Sequence, residues 1–81
     1  MTLDALKNAN RVIGIKQVAK AVKRGNVQQV FIADDAEERV VEPVRMLCRE
    51  HEIPVGQTAS MQELGQACGI EVGAAAAAVL K

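Results

Sequence analysis

Residues 73–80 read Gly-Ala-Ala-Ala-Ala-Ala-Val-Leu, and their conformation determines what sheet the chain can build. By intrinsic propensity Ala74 to Ala78 is helix, because alanine is the best helix former. A helix there, between Gly73 and Lys81, would have only about two turns and no capping residues. Local pattern therefore leaves helix and strand both open. The alternation of strands and helices upstream selects a final strand, squeezed between helical layers where only small side chains fit. The expectation is an α/β fold, a three-layer α/β/α sandwich with a four-stranded mixed sheet, as a single domain over residues 1–81.

Residues 3–9 (LDALKNA) have a short helical pattern with Asp4 near the start, and Arg11-Val12-Ile13 is a short strand. Gly14 breaks to a helix over 15–24. Ile15, Val18, Ala19 and Val22 share one face at i, i+3, i+4, i+7 spacing. Lys16, Lys20 and Lys23 stripe the other face, flanked by Gln17 and Arg24. Gly25-Asn26 is a C-cap signal. Val27 to Ala33 is the strongest strand and Asp34-Asp35 its closing turn. The next helix runs to about Glu52. Val40, Val41, Val44, Leu47, Cys48 and His51 are its expected buried stripe, with Glu42, Arg45, Arg49 and Glu50 outside. Pro43 predicts either an irregular first turn or a start with Pro43 near N1. A short strand follows from Ile53-Pro54-Val55 to Thr58. Ser60-x-x-Glu63 is a capping box for a helix over Met61 to Ala67, ended by Gly69, and residues 70–73 form a loop.

Composition narrows the function. The chain is 49% apolar and 25% charged, which is globular rather than disordered. No apolar run approaches the ~20 residues of a membrane span. Asp4, Lys7 and Asn8 interrupt what a secretory leader would need as its apolar core, so none is expected. Cys48 and Cys68 form no CxxC pair, and His51 is the single histidine. Neither a metal site nor a cofactor is expected. Cys48 is read as a small core residue and His51 as a helix-end residue, since a Cys/His nucleophile pair would need an orienting third group. Two free thiols fit a cytoplasmic setting. Phe31 is the only aromatic residue, which excludes reading single strands by stacking bases on an aromatic sheet.

Ten basic and ten acidic residues give zero net charge, which at first argues against nucleic acid. Their distribution reverses that inference. Residues 1–30 hold six basic residues and one acid (+5), whereas residues 31–81 hold four basic residues and nine acids (−5). The basic half centres on a helix led by a glycine. Such a helix start offers free N–H groups and partial positive charge to phosphate or to an electron-rich base edge. A lysine face is otherwise simply solvated.

Three segments, in order, carry a family resemblance. They are Gly14-Ile15-Lys16-Gln17-Val18-Ala19-Lys20 with Lys23-Arg24-Gly25, then Val30-Phe31-Ile32-Ala33-Asp34-Asp35, then Leu64-Gly65-Gln66-Ala67-Cys68-Gly69-Ile70-Glu71-Val72-Gly73 with its alanine tail. Over essentially its whole length the chain resembles the kink-turn-binding ribosomal protein superfamily, and most closely the short bacterial ribosomal-protein-like members of the YbxF type. The resemblance implies a non-enzymatic RNA-binding protein. Its target would be a kink-turn, a duplex bent at a short bulge followed by tandem sheared G·A pairs, in ribosomal RNA or a riboswitch-type leader, with the ribosome as a possible host. Gly14 would let the backbone approach the groove. Lys16 and Lys20 would donate to guanine O6 or N7 or to phosphate, and Lys23 and Arg24 would add to the basic contact. Gln17 would accept from guanine N–H groups. Glu37 would fall at the pocket for an extruded base, and Ile70, Glu71, Val72 and Gly73 would pack on the other side of the kink. Many archaeal and eukaryotic members have Asn-Glu where this chain has Lys16-Gln17. A neutral amide accepts less strongly than a carboxylate, so affinity or G·A context is expected to differ.

Two readings compete. The acidic helix around Glu37 to Glu52 would suit a basic protein partner, making the chain an interaction module of a ribosome or ribonucleoprotein with incidental RNA contact. Enzymatic function lacks support, since no acids stand at a recognisable catalytic spacing and no nucleophile motif occurs.

Overall fold

The computed structural model describes residues 10–58 and 60–81. The helical pattern expected over residues 3–9 lies outside the described residues. Strand β1 is Arg11–Ile13, helix α1 Ile15–Arg24, strand β2 Val27–Ala33 and helix α2 Glu38–Glu50. Strand β3 is Val55–Thr58, helix α3 Met61–Ala67 and strand β4 Ala76–Leu80. The four strands form one mixed sheet in the order β1-β4-β2-β3. β4 runs antiparallel to both β1 and β2, and β3 runs parallel to β2.

The alanine run is therefore a central strand. Ala76 and Ala78 belong to the core beneath α1 and α2, and Ala77 and Val79 to the core beneath α3. Ala76, Ala77 and Ala78 are completely buried. With helices pressing on both faces, side-chain volume outweighs helix propensity. The three-layer sandwich follows. Val18, Ala21, Val22, Val41, Val44 and Cys48 cover one face of the sheet, and Leu64, Ala67 and Cys68 the other. Cys48 and Cys68 are thus free, buried and on opposite sides of the sheet. Burial pushes both thiols above their ordinary pKa, an effect that the Arg11 charge partly offsets at Cys68.

Strand β2 departs from simple alternation. Val27 pairs with Leu80 and Gln29 with Val79, so Gln28 is an extra residue in a bulge. The bulge returns Val27 to the α1/α2 face beside Val30 and Ile32, while Phe31 and Ala33 face α3. Phe31 is 3% exposed and lies beside Gly56, where a Cβ would stand 2.9 Å from its ring. The only aromatic ring is thus inside the protein and out of reach of any base.

Helix α2 corrects three sequence expectations. Val41, Val44 and Cys48 are buried and Leu47 is partly so, but Val40 is 42% exposed and His51 is exposed. The buried face is narrower because α2 packs chiefly against α1, and only Val41, Val44 and Cys48 reach fully into the shared core. Pro43 neither disrupts the first turn nor sits at N1: the helix starts at Glu38, with Glu37 accepting from the Val40 and Val41 N–H groups. Pro43 lies on the exposed side, where water can satisfy the carbonyl it leaves unbonded. Arg45, expected outside, is half-buried, and its Nε lies 3.0 Å from Glu38 Oε1, an ion pair not aligned as a hydrogen bond.

Candidate nucleic-acid interface

The topology brings three connections to one end of the sheet. Gly14 donates its N–H to the Ala76 carbonyl at 2.9 Å, which seats the start of α1 beside the start of β4. Ala33, at the end of β2, donates to Ala75 at 2.9 Å. The β2–α2 turn then holds α3, because Asp35 Oδ1 accepts from the Met61 N–H at 2.7 Å. Ser60 Oγ adds the expected cap by accepting from the Glu63 N–H at 3.1 Å. Residues 70–73 return alongside α3, pinned by Ile70 N–H to Gly65 and Ala74 N–H to Met61, each at 3.0 Å. A Cβ on Gly65 would collide with the Val72 carbonyl, so the loop lies directly on the helix backbone. At the far end of α3, Arg11 donates to the Cys68 carbonyl at 2.7 Å, placing a cation on the negative helix terminus.

Three helices begin at this end; α3 is capped by Ser60, whereas α1 and α2 have no side-chain cap. The N-cap of α1 is Gly14, with φ 98° and ψ 154°, a region that essentially only glycine occupies. Its carbonyl accepts from the Val18 N–H at 2.9 Å, and the first-turn N–H groups before Val18 have no cap side chain. The first turn of α1 contains no acid; it contains Lys16 and Gln17, both exposed. A cation at a helix N-terminus opposes the macrodipole by roughly 0.3–1 kcal/mol. Lys16/Lys20 and Lys20/Arg24 are like-charge i, i+4 pairs that each cost about 0.2–0.5 kcal/mol more. The helix carries this repulsion without any acid of its own, a pattern that an anion at its N-terminus would relieve.

Gly14, Lys16 and Gln17 thus share one end of the sheet with the 34–37 turn and the 70–73 loop, with Lys20 one turn below. Glu37 is the N-cap of α2, and its carboxylate is paired with Arg39 Nε at 2.7 Å in an exposed position. Of the loop residues, Val72 is 71% exposed and Glu71 and Gly73 are exposed. Ile70 instead packs inward against the α3 core, so Val72 alone offers a large apolar side chain there. Lys23 and Arg24 are in the last turn of α1, at the other end of the sheet. Asp35 and Gly65 were not singled out by sequence reasoning for what they do here. A glycine inside a helical segment is a signal for Gly65, whereas only the fold reveals that Asp35 reaches α3.

A comparison with known proteins decides the family: residues 2–81 match the ribosomal protein L7Ae/L30e/S12e/Gadd45 family. The chain belongs to this family. It is 52% identical over 68 residues to an RNA-binding protein of Caldanaerobacter subterraneus, covering 84% of this chain and 83% of that one. It is 44% identical over 70 residues to RNA-binding protein YbxF of Geobacillus stearothermophilus, covering 86% and 85%. Among solved structures it is similar to the Giardia lamblia 15.5 kD RNA-binding protein, with a TM-score of 0.88 and 28% identity over 98% of this chain and 70% of that one. The α/β/α architecture is therefore that of L7Ae-like structures.

Proposed function

We propose that this chain is a non-enzymatic RNA-binding protein that captures kink-turns in ribosomal or leader RNA. The observation that carries this reading is the uncapped start of α1. There Gly14 at positive φ, exposed Lys16 and Gln17, and Lys20 adjoin the exposed Val72 loop. Lysine ammonium groups are donors only, which suits guanine O6 and N7 or phosphate, and the Gln17 carbonyl suits guanine N–H groups. Those edges become available together in the widened groove of sheared G·A pairs. On this reading Val72 and the Glu37 turn would face the bulged side of the bend. Bending then needs no work by the protein beyond preferential affinity for the bent population. The names of the relatives, all RNA-binding proteins, support the RNA half of the proposal.

The test replaces Gly14, Lys16 and Lys20 together by alanine and titrates a kink-turn duplex. Affinity should fall by at least ~100-fold, as expected when about two base contacts of roughly 1–3 kcal/mol each and a helix-start phosphate site are lost. Full affinity in the variant would place the site elsewhere. Exposed Val40 and Met46 on α2 support the competing reading of a protein-docking module. RNA binding that appears only after a protein partner is added would favour it.

A further inference from the structure

The basic face of α1 does not stop at the kink-facing end. Gly25 ends the helix at φ 77°, its N–H bonded to the Val22 carbonyl at 3.0 Å. The next residue, Asn26, accepts from the Lys81 N–H at 2.8 Å. These contacts gather Lys23, Arg24 and Lys81 at one corner, at the opposite end of the sheet from Gly14. All three are exposed. The ion pairs among the described residues are Arg39–Glu37 and Arg45–Glu38, so no described acid pairs with this corner.

Lys16 and Lys23 are seven residues apart on α1, about 10 Å along its axis. That exceeds the Debye length of about 8 Å at physiological salt, so the corner is largely screened from phosphates held at Gly14. To contribute to binding, these cations need phosphates of their own. Lys23 and Arg24 complement the helix dipole from the last turn of α1, and Lys81 is brought beside them from outside the helix. We propose that Lys23, Arg24 and Lys81 form a second contact, gripping backbone phosphates of a duplex stem that flanks the kink. The start of α1 discriminates the bend; the corner supplies sequence-independent, salt-sensitive affinity. This inference rests on the kink-turn reading for the position of the stem.

The test compares the full chain with a Lys23→Gln, Arg24→Gln, Lys81→Gln variant on a kink-turn RNA with long stems and on RNAs with each stem trimmed in turn. On the long-stem RNA the slope of log K against log salt should become shallower by roughly 2–3, near 0.9 per phosphate contact. Between 50 and 200 mM salt the wild type should accordingly lose about 40-fold more affinity than the variant. Trimming one stem should abolish that difference. Identical slopes for wild type and variant on long stems would overturn the proposal, as would a difference that survives trimming of either stem. Lys81→Gln alone, which leaves α1 intact, should reduce the slope by about 0.9, and an unchanged slope would count against the contact. Removing the G·A pairs separates the two ideas. Unchanged affinity would end the kink-turn reading, while the long-stem slope difference would still report on the corner.

Discussion

Replacing Gly65 by alanine sets helix propensity against packing. In an exposed helix, Gly→Ala stabilises by up to about 1 kcal/mol. At Gly65 the new methyl would meet the Val72 carbonyl well inside van der Waals contact, with the Val72 carbon at 3.1 Å and Gly73 Cα at 3.3 Å. Those atoms are backbone, and they cannot step aside easily. The Ile70 N–H to Gly65 and Ala74 N–H to Met61 bonds hold the loop at both ends. Overpacking of this kind costs about 1–3 kcal/mol, and a backbone collision belongs near the upper end. Net of propensity, Gly65→Ala should destabilise by about 1–2 kcal/mol. For a domain of this size that lowers Tm by roughly 5–15 °C. Urea titration should show a lower midpoint at unchanged m, and thermal melting should give the matching shift. A variant as stable as the wild type, or more so, would refute the claim that the loop rests on the α3 backbone.

Two further predictions concern the core. Ala78→Leu inserts three carbons into a strand position that is 0% exposed, and should destabilise by about 3 kcal/mol or more in a denaturant titration. Cys48 and Cys68 have folded-state pKa values raised above 9.0 by burial, so the folded state holds these protons more tightly than the unfolded state. Stability should therefore fall as pH rises from about 9 toward the folded values, and a Cys48→Ala, Cys68→Ala variant melted across that range should fall less steeply.

Much of this was legible from residue pattern. The β4 assignment came from demand by the remaining elements, and the structure gives its cause: Ala77 and Ala78 are pressed from opposite faces. The wheel of α1 located Val18 and Val22 in the core and Lys16, Gln17 and Lys20 in solvent, because those residue types differ sharply in their cost of burial. The exposure of Val40 and His51 was not legible. A helix wheel gives the apolar arc, not how much of it reaches the shared core. The bulge at Gln28 was also hidden, since it depends on register with Leu80 and Val79. At the site, the lysine stripe read as one patch. Only the topology separates Lys16 from Lys23 and joins Lys81 to the second group.

The most direct measurement is a titration of the full chain against a kink-turn duplex and a matched duplex whose tandem G·A pairs are replaced by Watson–Crick pairs, at one fixed salt concentration. Two altered pairs at roughly 1–3 kcal/mol each predict at least ~30-fold weaker binding to the replaced duplex. Equal affinity for the two would contradict recognition of the kink by the α1 start.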